Sequence, residues 1–485
     1  VVSDIHTPDW VKHAVFYQIF PDRFAQSARV VKPNNLEPWD SPPTAEGYKG
    51  GDLLGVVEHL DHIQELGATA IYFTPIFQSA CNHRYHTHDY YKVDPMLGGN
   101  PALGELITEC HRRDIRVVLD GVFNHTGRGF FQFNDILENG PSAAWIDWFT
   151  VEGWPLSAYD GSRPANYLSW IGNRALPKLN TDNPQVREYI MQVAEFWVEQ
   201  GIDGWRLDVP FEIHTPGFWQ EFRRRVKRIN PDAYIVGEVW TDSRQWLQGD
   251  QFDGVMNYLF TGATIAYTAG PRVIAREVEG RSYETMPPLS AQQYAAKIDA
   301  LLKLYPWEIQ LTQLNLLDSH DTARLVSIAG DDQSSVRLAT ILLLTFPGAP
   351  SIYYGDEIGL PGRLDPDCRR TIDWERRESW DQELFAFHKR LIALRKAHPA
   401  LRTGALAHLY ADDAVYGFAR TGGGEALLVA VNADERPRSV SISTGGHFQE
   451  GAALKTLYGG AEARVSGGQI ALELPAREGV ILLQA

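Results

Sequence analysis

The stretch Ile202-Asp203-Gly204-Trp205-Arg206-Leu207-Asp208 is followed by a helical pattern over 216–229 and then by Tyr234-Ile235-Val236-Gly237-Glu238. Two runs of β-formers, each closing on a carboxylate and joined by a helix, make one strand–helix–strand unit with parallel strands. Two further runs end the same way. Residues 115–119 lead into Asp120-Gly121-Val122-Phe123-Asn124-His125, and residues 314–317 lead into Asp318-Ser319-His320-Asp321. Parallel strands point in one direction, so their acidic endings gather at one end of the sheet, where α/β proteins bind ligands.

Outward from this unit, apolar runs alternate with amphipathic stretches from residue 11 to about 397. The pattern predicts strands at 15–20, 70–74, 115–120, 202–208, 234–238, 254–258, 314–318 and 351–354. It predicts helices at 53–66, 101–113, 184–200, 216–229 and 382–396, with a polar helical stretch at 260–305. Pro101 and Pro184 suit first helical turns, and Gly201 suits a helix end. Eight such repeats predict an α/β fold, a closed (β/α)8 TIM barrel. A doubly wound open sheet is the structural alternative, but there is no Gly-rich first turn to support it.

The rhythm breaks over 121–179, a stretch of Gly, Asn, Trp and Phe that reads as a loop domain inserted after the third strand. After His398-Pro399 the pattern becomes short alternating runs at 426–431, 439–442 and 479–483, separated by glycine clusters. These predict a C-terminal antiparallel β-sandwich domain without a catalytic cluster. The expected organisation is a catalytic barrel at 1–120 and 180–398, an inserted domain at 121–179 and the C-terminal domain at 399–485.

A formal charge of −16 disfavours nucleic acid and anionic membranes as partners, since both would repel the chain. No apolar stretch reaches the roughly 18 residues of a membrane span. The longest candidate, 338–346, stops at Pro347-Gly348. Cys81, Cys110 and Cys368 are few, odd in number and widely spaced, which fits reduced thiols and a cytoplasmic location. No basic-then-apolar leader opens the chain. Some of the 14 Trp, 20 Tyr and 21 Phe stand beside strand ends, where aromatic rings stack on sugars.

Acetal cleavage between sugars uses two carboxyl groups, one to attack or activate water and one to protonate the leaving oxygen. Asp208 is the candidate nucleophile. Arg206, two residues earlier on an extended strand, shares its face and is expected to keep it ionised. Glu238 stands near Trp240, and a partly desolvated carboxyl holds its proton, as a general acid must. Asp321, next to His320, supplies a third carboxylate to hold hydroxyls and steady positive charge. Asp120 reads as a strut bonding Arg206, with Asn124 and His125 beside it. His83, His86, His88 and Asp89 raise a metal reading, because H-x-H occurs in metal-dependent barrels. His86 and His88 alone cannot complete a site, and the surrounding Tyr85, Tyr90 and Tyr91 suit a sugar better, so no metal is expected.

These segments resemble the signature regions of the α-amylase family of retaining glycoside hydrolases, in the same order and over nearly the whole chain. The resemblance implies Asp208 as nucleophile, Glu238 as acid/base and Asp321 as transition-state stabiliser. It also implies that Arg206, His125 and His320 line the sugar site, with Tyr85 stacking on the ring. The two working carboxyls should then lie about 5 to 5.5 Å apart. Leu176-Pro177-Lys178-Leu179-Asn180, Asn82-His83-Arg84-Tyr85, Gly237-Glu238-Val239-Trp240 and Asp365-Pro366-Asp367-Cys368-Arg369 are similar to the cyclomaltodextrinase, neopullulanase and maltogenic amylase branch. By that resemblance Asp365 and Arg369 hold the next sugar on the non-reducing side, and Trp240 and Phe211 contact sugars on the leaving side.

The chain departs from the branch in three places. It starts almost at the first barrel strand, so the branch's N-terminal β domain is not expected, and its dimer and narrowed cleft are left open, with no expectation for the oligomeric state. Phe24-Ala25-Gln26-Ser27-Ala28-Arg29 replaces the Asn- and Asp-rich loop that often binds calcium, so no cofactor is expected, with calcium as the one cation left open. His86 stands where Asp is common, and Val209-Pro210-Phe211-Glu212 replaces Val-Ala-Asn-Glu. The expected function is hydrolysis of α-1,4-glucosidic bonds in cyclodextrins, maltooligosaccharides and starch-like glucans, with transglycosylation. The alternatives are an exo-α-glucosidase, a disaccharide-converting transferase or isomerase, or, in another class, a non-catalytic sugar-binding relative.

Overall fold

The computed structural model describes residues 4–281, 283, 287–460 and 462–485. Strands β1 (Phe16–Ile19) and β2 (Ala70–Phe73) precede a hairpin of β3 (Phe77–Ser79) and β4 (Thr87–Val93). Then come β5 (Arg116–Gly121), β6 (Gly204–Leu207), β7 (Tyr234–Gly237), β8 (Gly254–Val255), β9 (Leu314–Asn315) and β10 (Ala349–Tyr353). Apart from the hairpin these strands form one sheet in the order β8-β7-β6-β5-β2-β1-β10-β9, all pairs parallel. A parallel bridge from Met256 to Leu314 joins the two ends and closes a TIM barrel. Every residue of β1, β2, β6, β7 and β10 is buried, as strands covered on both faces require.

The helices start where their caps allow. Asn183 accepts a hydrogen bond from the Gln185 N–H at the start of Pro184–Glu199, and Asp381 accepts from the Leu384 N–H at the start of Gln382–Ala397. The helix expected at 53–66 is two helices, Leu53–Glu58 and Leu60–Leu66, broken at His59. The strand expected at 254–258 stops at Val255 because Tyr258 already opens the helix Tyr258–Thr268. That helix is almost wholly buried, against the expectation of a polar stretch. Its threonines conceal their polarity, for the Thr261 hydroxyl donates to the Leu316 carbonyl at 2.7 Å and Thr268 to Thr264 at 2.7 Å. The apolar run at 338–346 belongs to the helix Gln333–Thr345, which the sequence pattern did not place.

The segment after β5 carries the helix Phe131–Asn139 and short turns, then folds back over the barrel mouth. Isolated bridges His125–Lys178, Phe149–Leu179 and Ser169–Pro177 hold its two ends together. Beyond the barrel, β11 (Ala405–Ala411), β12 (Val415–Gly422), β13 (Glu425–Asn432), β14 (Arg438–Ser443), β15 (Ala453–Tyr458), β16 (Ala463–Ser466), β17 (Gln469–Leu474) and β18 (Glu478–Gln484) form a second, antiparallel sheet. It folds over a core containing Val415, Leu428, Ile442, Ile470 and Leu482, giving the expected sandwich-like domain. Among the described residues, no helix is long and apolar enough to cross a membrane.

Buried Arg420 on β12 ties this sheet to the barrel. Its guanidinium donates to the carbonyls of Thr345, Leu401 (2.9 Å) and Gly404 (2.9 Å), the first at the C-terminus of Gln333–Thr345. Last-turn carbonyls have no partner inside their helix, and a cation completes them. Arg420→Ala strands three buried acceptors and leaves a cavity. The expected result is a loss of ~2–3 kcal/mol in urea unfolding, with the catalytic pH profile unchanged.

Candidate active site

Register sets the site. Asp120 on β5 lies beside Arg206 on β6, and Leu207 lies beside Gly237 on β7. One rung further, the Asp208 N–H donates to Gly121 O at 3.0 Å and the Glu238 N–H to Leu207 O at 2.9 Å. Two acidic side chains thus emerge from adjacent strands at the same height. Gly237 permits this packing, since a Cβ there would lie 2.7 Å from the Phe252 ring.

Arg206 is the centre. Fully buried, it donates through Nη1 to both Asp120 oxygens at 3.0 Å and to Asp208 Oδ1 at 3.3 Å, and through Nη2 to Glu238 Oε2. One cation therefore faces three carboxylates. Burial, with the Arg206 cation opposing it, raises the Glu238 pKa to about 7. Burial and the neighbouring Glu238 also raise Asp208 well above the usual carboxylate range, against the partial pull of Arg206. The expectation that Arg206 alone keeps Asp208 ionised is thus corrected. Its closer contacts go to Asp120 and Glu238, so it offsets only part of the burial that raises Asp208. Asp321 differs. Burial pushes its carboxyl up, but His320 and the guanidinium groups of Arg369, Arg206 and Arg281 outweigh that and lower it.

A chain of hydrogen bonds fixes the neutral groups. Gln18 Nε2 donates to His320 Nδ1 at 2.8 Å, which leaves the proton on Nε2, facing Tyr85 Oη at 2.7 Å and Asp321 Oδ2 at 3.2 Å. Tyr85 Oη in turn donates to Asp120 Oδ2 at 2.7 Å. Burial lowers both His320 and His125 to about 3, so both imidazoles are neutral. Asn124 Nδ2 donates to His125 Nδ1 at 3.2 Å, while Lys178 Nζ donates to Asn124 Oδ1. His125 Nε2 then sits 3.9 Å from Asp208 Oδ2.

Above these groups lies a cleft of about 360 Å³. Asp208, Glu238, Asp321, Tyr85, His125, Trp240, Asp365 and Arg369 all line it, together with His83 and His86. Arg369 pairs with Asp365 at 3.1 Å and approaches Asp321 at 3.8 Å. The Trp240 ring stacks on Tyr258, centroids 3.5 Å apart. Three expected wall residues are elsewhere. Arg206 and His320 are fully buried beneath the floor, because each is consumed by neighbouring partners. Phe211 sits in the turn Pro210–Glu212 and packs against the core, and Val209 faces the cleft instead. Asp120 and Asn124 are buried supports, as their roles as struts require.

Sequence reasoning missed Trp170, Asn173 and Arg281 in the wall, and Gln18 in the floor. Arg281 Nη1 donates to Asp321 O at 2.9 Å. Gln18 carried a signal, a lone amide inside the apolar strand β1. Trp170 and Arg281 carried none, lying in segments without periodicity.

Residues 18–366 match the α-amylase catalytic domain, and residues 404–482 match the α-amylase C-terminal domain. A cyclomaltodextrinase from a Bacillus species is 44% identical over 92% of this chain and 77% of its own length. A solved structure of a debranching enzyme from Nostoc punctiforme is 62% identical and covers 99% of this chain and 100% of its own, with a TM-score of 0.92. The cyclic α-maltosyl-(1→6)-maltose hydrolase of Arthrobacter globiformis, solved with its substrate, is 38% identical with a TM-score of 0.86, covering 99% and 100% of the two chains.

A carboxyl raised in the fold is destabilising once it ionises. The cost is absent below the unfolded pKa, near 4, and grows as pH rises above it. Asp208→Asn is therefore expected to be more stable than the parent at pH 7, by on the order of 1 kcal/mol in urea, with the gain vanishing near pH 4.

Proposed function

The chain belongs to the α-amylase family of glycoside hydrolases, and we propose that it cleaves α-1,4-glucosidic bonds in cyclodextrins, maltooligosaccharides and related glucans by double displacement. The observation that carries this reading is the pair Asp208 and Glu238, held by one guanidinium under a cleft lined by aromatic rings and imidazoles. Two carboxyls sharing a guanidinium support the short spacing, about 5 to 5.5 Å, that retention uses.

In this mechanism Glu238 carries the proton of the pair and gives it to the glycosidic oxygen. Asp208 attacks the anomeric carbon as the bond to the leaving sugar breaks, forming a glycosyl ester. Glu238, now ionised, takes a proton from water, whose oxygen displaces Asp208 and regenerates both groups. A sugar hydroxyl in place of that water gives transglycosylation. Asp321, held ionised, faces the positive charge that develops at the anomeric carbon. Tyr85 and Trp240, each held in place by ring stacking, offer faces to sugar rings. Asp365 and Arg369 fit the hydroxyls of the next sugar.

A second reading, that α-1,6 bonds are also cut, is supported by the 62% identity to a debranching enzyme. The proposed reaction calls on no cofactor. Beside the loop 24–29 where calcium was left open, the carboxylate of Asp52, the cap of the helix Leu53–Glu58, accepts from Lys32 Nζ at 2.6 Å, Gly55 N at 2.6 Å and Ser27 N at 2.9 Å. A carboxylate committed to an ammonium and two amides is a poor calcium ligand, so these residues do not fit the ion. Three unpaired thiols support a reducing, cytoplasmic setting.

Glu238 must be protonated to act first, so kcat/KM should fall as pH rises through about 7. Glu238→Gln should lose that limb and keep measurable glycosylation only with a leaving group that needs no acid. Asp208→Asn should lose at least about 10³-fold in kcat. β-Cyclodextrin, pullulan, amylopectin and maltotriose offered side by side, with products followed by NMR, test the bond and the anomer. Inverted product, or no action on any of the four, would reject the reading.

A further inference from the structure

Three neighbouring side chains have no part in the proposed reaction: His83 and His86, which line the cleft, and Cys81 beside them. They stand in the turn between β3 and β4, which is tightly held. Buried Arg84, at φ 59°, donates to Asp94 Oδ2 at 3.1 Å and to Asn82 O at 3.1 Å. Asn82 Nδ2 donates to the carbonyls of Ala45 at 3.0 Å and Gly47 at 2.9 Å. On this support Cys81 Sγ lies 3.4 Å from His83 Nδ1, and the rings of His83 and His86 are 5.1 Å apart at 77°. One ligand atom from each of the three residues lies within 4.8 Å of the others.

Metal–sulfur and metal–nitrogen bonds of about 2.3 and 2.0 Å in a tetrahedron put neighbouring donors about 3.3–3.6 Å apart. The Cys81–His83 edge already has that length, and His86 must move closer to complete the third corner. The geometry points to a site for a borderline-soft divalent cation, Zn²⁺ foremost, formed by Cys81, His83 and His86, whose occupation blocks the cleft. A thiolate with two imidazoles selects such ions over Mg²⁺ and Ca²⁺. The H-x-H pair read from the sequence, His86 and His88, is not the one that forms this site; Cys81 and His83 stand with His86 instead. His88 is excluded, because its ring packs on Gly129, where a Cβ would lie 2.3 Å from it. Asp89 is occupied in accepting from the Tyr91 N–H at 2.9 Å.

Binding breaks the Cys81 S–H bond as the sulfur–metal bond forms, releasing one proton to solvent per ion. Because His83 and His86 line the cleft, an ion held there has a fourth position for water or a sugar hydroxyl. His83 Nδ1 now accepts from the Tyr85 N–H at 3.2 Å. Ligation at Nδ1 takes that lone pair, so the ion competes with the backbone that seats Tyr85. Inhibition rests on the proposed hydrolysis, whereas binding does not.

The test uses the reduced, purified protein. Co²⁺ should give a thiolate charge-transfer band at one ion per chain, and equilibrium dialysis should give one Zn²⁺. β-Cyclodextrin hydrolysis should fall in proportion to Zn²⁺ occupancy and recover with chelator. Cys81→Ser, outside the cleft wall, should keep the basal rate, lose the band, weaken Zn²⁺ by about 100-fold and become insensitive to it. His86→Gln should weaken binding as well. Equal Zn²⁺ affinity in Cys81→Ser and parent, or full occupancy with an unchanged rate, would overturn the proposal. A cobalt band in a protein inactive on every glucan would reject the hydrolase reading and keep the metal site.

Discussion

One buried guanidinium sets both the geometry and the protonation of the cleft. Arg206 has no solvent to share its charge with, so it draws Asp120, Asp208 and Glu238 around itself at hydrogen-bonding distance. In a low-dielectric interior such pairing is strong, but a single positive charge cannot neutralise three negative ones. Burial, which that one cation only partly offsets, raises both Asp208 and Glu238. The proposed division of roles between an acid and a nucleophile draws on those shifts. The feature that orders the site also primes it.

The barrel makes this sharing reproducible. Arg206 sits opposite Asp120 because β5 and β6 pair in parallel at that register, and Glu238 sits one rung beyond β7. The neutral network is threaded through strands in the same way. Gln18 of β1, His320 after β9, Tyr85 of the hairpin turn and Asp120 of β5 form a single chain of donors and acceptors. The parts that touch ligand are less regular. Trp170 and Asn173 come from the inserted segment, which Lys178 anchors to Asn124 and to the Glu212 carbonyl at 2.8 Å. Rigid strands hold the chemistry while irregular segments shape what can enter.

Most of the fold was legible because its elements obey simple periodicities. Buried parallel strands such as β1, β6 and β7 are short apolar runs, and helices such as Pro184–Glu199 announce themselves by caps. The reading failed where tertiary burial overrides composition. Tyr258–Thr268 has hydroxyl groups that look exposed in sequence, yet each finds a nearby carbonyl or hydroxyl partner and sinks into the core. The helix at 53–66 looked continuous because the break at His59 leaves the spacing of apolar residues intact.

The sequence by itself determined the class of fold, the order of strand endings and which carboxylates stand as candidates for the proposed reaction. Carboxylates at the ends of consecutive parallel strands converge whatever the loops do, so Asp208, Glu238 and Asp321 could be picked out from spacing and residue type. Only the tertiary structure decided their charges and their surroundings. Whether Arg206 ionises Asp208 depends on how one guanidinium divides its hydrogen bonds among three strands, which no local pattern encodes. Phe211 gave way to Val209, Arg281 joined the wall, and Cys81 rather than His88 came to stand with His83 and His86. Those outcomes rest on contacts between residues distant in the chain or on how a turn bends, and residue spacing carries neither.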